Sequence, residues 1–262
     1  MSKLLEGKNA IIYGGGGGIG GGVARTFARE GAHVFLAGRT RDKLDAVADD
    51  ITASGGLADI AVLDALDERA VDEHVGDVVS KAGSVDVSFN LINRGDVQGI
   101  PLVEMKTDDL LRAVVNGLRS NFLTARAAAR RMIEQGSGVI LHLNSASGAG
   151  AMPGMGSTGP ADAATEAFMR YLAAEVGPHG VRVCGIWTAG VAETLTREKL
   201  TAVGGEGVPD PQTLVEMIGG MAALRRAPRL ADVAEVAAFL ASERAAGMTG
   251  TMANVTSGLT LR

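Results

Sequence analysis

The sequence predicts an α/β fold: a doubly wound parallel β-sheet with helices on both faces, in a single domain. Three observations predict it. Short β-branched runs alternate with amphipathic stretches of helical period along the whole chain. A run of glycines directly follows the first of those strands and opens the first helix. The 262 residues are 46% hydrophobic and include 37 glycines but only 3% aromatics, a composition suited to close helix-on-sheet packing rather than to a base-stacking surface.

The elements follow in order. Strands are expected at Ala10–Tyr13, His33–Ala37, Ala58–Leu63, Val85–Leu91, Gly138–Asn144, Val181–Trp187 and Thr251–Val255, where apolar runs of strand length are bounded by turn residues. Helical periodicity spans Gly20–Glu30, Arg41–Ser54, Glu68–Ala82, Thr107–Gln135, Asp162–Val176 and Leu230–Ser242. Between the last two strands the rhythm breaks at residues 193–228, where glycine, proline and a methionine-bearing helix at Leu214–Met221 intervene. A long insertion in an otherwise tight α/β chain is expected to be a lid over a site, the alternative being a surface excursion. No internal repeat or low-complexity tail points to a second domain.

Composition excludes several classes. A net charge of −5 gives no electrostatic reason to seek phosphate backbones or anionic membrane, so neither nucleic acid nor membrane is an expected partner. The single cysteine, Cys184, precludes an intrachain disulfide, and it shares no metal-ligand spacing with His33, His74, His142 or His179. No metal is expected. The opening residues run directly into a short apolar strand with no signal-peptide core, and no apolar run reaches membrane-spanning length, so a cytoplasmic location is expected.

Residues 14–22 read GGGGGIGGG. Between a strand and a helix, such glycines permit positive φ and let backbone N–H groups approach a pyrophosphate at a helix N-terminus. Gly14, Gly16, Gly17, Gly18, Ile19 and Gly20 are therefore the expected dinucleotide loop of a Rossmann-type domain. After the second strand, Gly38 stands where an acidic residue would accept the adenosine ribose hydroxyls, and Arg39 follows, able to pair with a 2′-phosphate. NADP(H) is thus the preferred cofactor, with NAD(H) as the alternative; a solvated Arg39 beside Arg41 and Lys43 is the plainer account. Asp64, with Ala65 following, is placed to meet the adenine, its other role being to cap the helix beginning near Asp67.

The ordered segments GGGGGIG, LDALD, FNLIN, VNGLRSNFLTARAAARRM, GVILHLNSASG and EAFMRYLAAEVGPHGVRV, with TGTMANVTSGLT closing the chain, resemble the short-chain dehydrogenase/reductase family over its full length. The resemblance implies an active site of asparagine, serine, tyrosine and lysine. Asn116 matches the asparagine and Ser145 the serine. Thr158 stands where the tyrosine is expected and Asp162 where the lysine is expected. Neither Tyr13, in the first strand, nor Tyr171, far along the later helix, can readily substitute. Asn90 and Leu91 open the segment that the family writes N-N-A-G, of which only the first asparagine is kept; Thr188 and Ala189 replace a proline and a glycine, and Tyr13 replaces the threonine before the glycines. The resemblance also implies a homodimer or tetramer through the alanine-rich stretches Asn121–Arg131 and Ala163–Ala174.

Three functions are compatible with these residues. The first is an NADPH-dependent oxidoreductase with an altered proton relay: Thr158 cannot act as the tyrosine does, so Ser145 orients a small apolar or activated acceptor while Asp162, or a water on Asn116, handles protons. The second is a non-catalytic dinucleotide-binding sensor or partner subunit. The third is a non-redox lyase or isomerase with Asp162 as base.

Overall fold

In the computed structural model, which describes residues 3–150 and 152–261, seven parallel strands form one sheet in the order β3-β2-β1-β4-β5-β6-β7. They are β1 (Asn9–Tyr13), β2 (His33–Gly38), β3 (Leu57–Val62), β4 (Val87–Asn90), β5 (Gly138–Ser145), β6 (Val181–Thr188) and β7 (Thr251–Val255). The eight α-helices among the described residues are α1 (Gly18–Arg29), α2 (Arg41–Ala53), α3 (Glu68–Ala82), α4 (Thr107–Gln135), α5 (Thr158–Val176), α6 (Arg197–Gly204), α7 (Pro211–Met221) and α8 (Leu230–Ala241). None of them is long and apolar enough to cross a membrane.

Burial on both faces explains why the strands read as unbroken apolar runs. Along β1, Ala10 and Ile12 face Phe27 of α1, Leu44 of α2 and Val233 of α8, while Ile11 and Tyr13 face Val75 of α3, Ala128 of α4 and Met169 of α5. Each fully buried side chain such as Phe27 contributes on the order of 1.5–3 kcal/mol through removal from water. Glycines stop two of the long helices: Gly83 ends α3 at φ +85° and Gly136 ends α4 at φ +71°, the left-handed conformation that closes a helix without a Cβ penalty.

The sheet order reverses between β1 and β4, so the connections on either side run to opposite faces and open a crevice at the strands' C-terminal ends. Tyr13 is level with Ala37 on one side and Asn90 on the other, and Ser145 is level with Thr188. The loops after these residues therefore share one rim.

Several sequence boundaries shift. Strand β4 is four residues long rather than the expected Val85–Leu91: it ends at Asn90, whose side chain accepts from Ile92 N and bends the chain, and it starts at Val87, the N–H of Val85 being taken by Gln135 Oε1. Helix α5 begins at Thr158, four residues before the expected start, so Asp162 lies a full turn inside the helix rather than at its dipole end. Residues 193–228 hold α6 as well as the expected methionine-bearing helix; α6 is started by Thr196, whose hydroxyl accepts from Lys199 N.

Candidate active site

The glycine loop is built by close backbone approach. Gly14 has φ +79°, and the N–H groups of Gly14 and Gly15 both donate to Ala37 O, at 2.8 and 3.2 Å, turning the chain back over β2. A methyl on Gly14 would lie 2.6 Å from Leu91 O, one on Gly18 would lie 3.0 Å from Thr194 Cγ2, and one on Gly20 would overlap Gly14 O. Gly17 caps α1 without a side-chain hydrogen bond, and the first turn carries no acidic residue. Its N–H groups and helix dipole are thus presented to the rim, a cradle that fits the pyrophosphate of a dinucleotide.

Arg39 is exposed just beyond β2. Among the described residues, no carboxylate pairs with it, Arg41 or Lys43. Asp64 Oδ1 accepts from Leu66 N at 3.0 Å, while the cap of α3 is made by Asp67 Oδ1 on Ala70 N; Asp64 is therefore not the helix cap. Ala65 is buried. Asn90 is tied down by its amide donating to Ser120 Oγ, and Leu91 N donates to Tyr13 O.

The other half of the rim brings together charges that the chain keeps apart. Ser145 Oγ donates to Asp162 Oδ2 at 2.5 Å and accepts from Ser147 N at 3.2 Å. Asp162 is wholly buried, and Arg94 Nη2 lies 2.7 Å from its Oδ1; this is an ion pair by distance, whose angle leaves Oδ1 without an aligned hydrogen bond. Arg94 in turn grips Asp96 through Nε and Nη2, at 2.9–3.1 Å. Burial pushes the Asp162 carboxyl up to about 6 against the pull of Arg94 and Ser145. Around Arg94, the two carboxylates outweigh burial and raise its pKa.

Asn116 and Thr158 complete the ring. The Asn116 amide donates to Arg94 O at 3.2 Å, and Thr158 Oγ1 accepts from the Gln98 amide at 2.9 Å. The loop carrying Arg94 and Gln98 is stapled to the β5–α5 connection by Val97 N on Ser157 Oγ, Ser157 N on Val97 O and Gly99 N on Gly154 O, and it reaches α6 through Gln98 N on Val203 O. Asn144 donates to Asp162 O and to Glu166, whose Oε1 also accepts from Trp187 Nε1 at 2.8 Å. Sequence reasoning missed Arg94, Asp96, Gln98 and Thr194. No local pattern signals Arg94, because its place beside Asp162 follows from the burial of that carboxyl, which the sequence does not show.

Such an arrangement can hold an anionic dinucleotide on one side and move a proton between a hydroxyl and a carboxylate on the other. Comparison with known proteins agrees with the first half. A family model described as enoyl-(acyl carrier protein) reductase matches residues 15–260. Tropinone reductase-like 2 of Erythroxylum coca is 34% identical over 255 residues, covering 95% of this chain and 88% of its own length. Among solved structures, NAD+-bound xylitol dehydrogenase superposes with a TM-score of 0.86 at 26% identity, covering 98% of this chain and 100% of its own. A 7α-hydroxysteroid dehydrogenase complexed with NADH and 7-oxo glycochenodeoxycholic acid superposes with a TM-score of 0.84 at 28% identity, covering 98% and 96%.

Proposed function

Because this chain belongs to the short-chain dehydrogenase/reductase family of oxidoreductases, which uses NAD(H) or NADP(H), we propose that it is an NADP(H)-dependent member with an altered proton relay. Its substrate is a small apolar or activated acceptor. The dinucleotide, when bound, exchanges a hydride with that acceptor. Gly14, Gly16, Gly17, Gly18, Ile19 and Gly20 hold the pyrophosphate, Asn90 and Leu91 border it, and Asp64 and Ala65 flank the adenine. Arg39 takes the 2′-phosphate, which the absence of any carboxylate partner among the described residues leaves it free to do.

The observation that carries the reading is the 2.5 Å hydrogen bond from Ser145 Oγ to the buried Asp162. A substrate oxygen at Ser145 is one hydroxyl away from a carboxyl able to hold a proton near physiological pH. Thr158, an aliphatic hydroxyl bound to Gln98, cannot serve as the acid. Asn116 acts by fixing the backbone of Arg94.

The test is a titration with NADPH and with NADH, followed by nicotinamide fluorescence and repeated on Arg39→Ala. Tight NADPH binding that weakens at least tenfold in the variant, with NADH unchanged, is the expected result. Failure of both nucleotides to bind would overturn the reading.

One observation favours a second reading, a dinucleotide-binding sensor or partner subunit: the Gln98 amide occupies Thr158, and the loop around it is bonded to both the β5–α5 connection and α6. Residues 193–228 serve as the lid in either case, released when Gln98 N leaves Val203 O. A homodimer or tetramer through α4 and α5 is supported by exposed Phe122 and Tyr171 on those helices, 42% and 75% accessible. Light scattering of Phe122→Glu checks it.

A further inference from the structure

Arg94 has no assigned role, yet two hydrogen-bonding partners and one packing contact fix its place. Asp96 takes its guanidinium through two nitrogens, Asn116 holds its carbonyl, and its Cδ lies against the bare face of Gly117, where a methyl would come within 2.9 Å. The product of that placement is one contact, Nη2 on Asp162 Oδ1 at 2.7 Å, in a site where the carboxylate has no access to water. An unpaired carboxylate at that depth would be neutral.

We propose that Arg94 is the positioning residue of the Ser145–Asp162 pair: fastened by Asp96 and Asn116, it holds Asp162 as a carboxylate with Oδ2 on the Ser145 hydroxyl and so makes the pair a proton acceptor at neutral pH.

The inference rests on the reading of Asp162 as the proton-carrying group and gives it a direction. With Asp162 ionised, Ser145 is compelled to donate toward it, and the serine oxygen is left to accept. A substrate hydroxyl can then give its proton to Ser145 Oγ while the Ser145 proton passes to Asp162 Oδ2, as the carbon bearing the hydroxyl gives a hydride to the oxidised dinucleotide. One O–H and one C–H bond break, the alcohol becomes a carbonyl, and Asp162 ends protonated. Carbonyl reduction is the same path reversed and requires the protonated acid at the start. The groups that set the balance are Arg94 and Asp96 from the β4–α4 loop, Ser145 from β5, and Glu166 one turn further along α5, which is already engaged by Trp187 and Asn144.

The experiment is a carboxyl carbon NMR titration of protein labelled in aspartate, with Asp162→Asn identifying the signal, on wild type, Arg94→Gln and Arg94→Lys. An opposite charge at this range moves a carboxyl by roughly one to three pH units. Arg94→Gln is expected to raise the Asp162 titration by at least one unit, and Arg94→Lys to restore part of it. The pH profile of NADPH oxidation by 9,10-phenanthrenequinone, an activated dicarbonyl probe, should shift upward by the same amount with KM little changed. If Arg94→Gln fails to fold, Arg94→Lys carries the titration, and the refolding of Arg94→Gln/Asp162→Asn identifies the lost pairing as the cause. An Asp162 signal that titrates at the same pH without Arg94 overturns the proposal. A shifted titration in a protein that binds no NADPH instead upholds the pairing and removes the oxidoreductase reading.

Discussion

The Ser145 hydroxyl donates to Asp162 Oδ2 at 2.5 Å, across a contact made between the last residue of β5 and the second turn of α5. Among the described residues it is the only side-chain hydrogen bond that Asp162 makes with aligned geometry, because Oδ1 is met by Arg94 at an angle.

Asp162→Asn removes the group that stores the proton and keeps its shape. General acid–base help is worth about 10² to 10⁴ in rate. The variant is expected to lose turnover of an activated dicarbonyl within that range while binding NADPH within about twofold of wild type, as read from steady-state absorbance and nicotinamide fluorescence.

Gly20→Ala forces a methyl onto the Gly14 carbonyl oxygen, a backbone atom that cannot rotate away. The glycine loop must open to relieve it. NADPH affinity should fall at least tenfold, about 1.4 kcal/mol, with far-ultraviolet circular dichroism unchanged.

His142 is 2% exposed, and burial, outweighing the backbone of Cys184, drives its pKa down to about 4 from 6.5. Between those values the unfolded chain binds the proton and the folded one does not. Stability therefore falls as pH drops from 6.5 toward 4, by up to roughly 3 kcal/mol. Asp162 works the other way: with its carboxyl at about 6 against 3.8 unfolded, the folded state binds the proton in that window, and stability falls as pH rises through it. The two slopes oppose each other between about pH 4 and 6. Urea unfolding across this range should show a steeper acid loss in Asp162→Asn than in wild type, and a shallower one in His142→Leu.

Thr158→Tyr with Asp162→Lys would rebuild the tyrosine and lysine that the family resemblance implies, but it would set a second buried cation against Arg94, 2.7 Å from where Asp162 Oδ1 now lies. Breaking a buried pair costs on the order of 3 kcal/mol or more. The double variant is expected to lose stability by about that amount, and adding Arg94→Ala should restore it. Carbonyl reductase activity should emerge only in the triple variant; its appearance at full stability in the double variant would contradict the ion pair's importance.

Much of the fold was legible because its causes are local. Alternating strand and helix periods located every strand to within a few residues, and the glycines at 14–22 announced the loop whose crowding against Leu91, Thr194 and Gly14 itself the structure makes explicit. One boundary moved where a side chain competed with the backbone, Asn90 ending β4 one residue early, and another where the first turn of α5 accommodates Pro160, whose missing N–H would have had no partner there.

The site was half legible. Sequence spacing placed Ser145, Thr158 and Asp162 on adjoining elements, and the structure brings them to one rim. It did not reveal what Asp162 faces, because Arg94 reaches it from the loop after β4, across β5, through packing that no local pattern encodes.

The sequence alone determined the parallel sheet, the glycine loop and the chemical character of each group at the rim, since periodicity, conformational freedom and side-chain chemistry belong to the residues themselves. Only the tertiary structure decided that Asp162 is a buried, paired carboxyl rather than a solvated helix residue, because the ionisation of a carboxyl depends on the water removed from it and on the charge that replaces that water, and both are fixed only when Arg94 and Ser145 close around it.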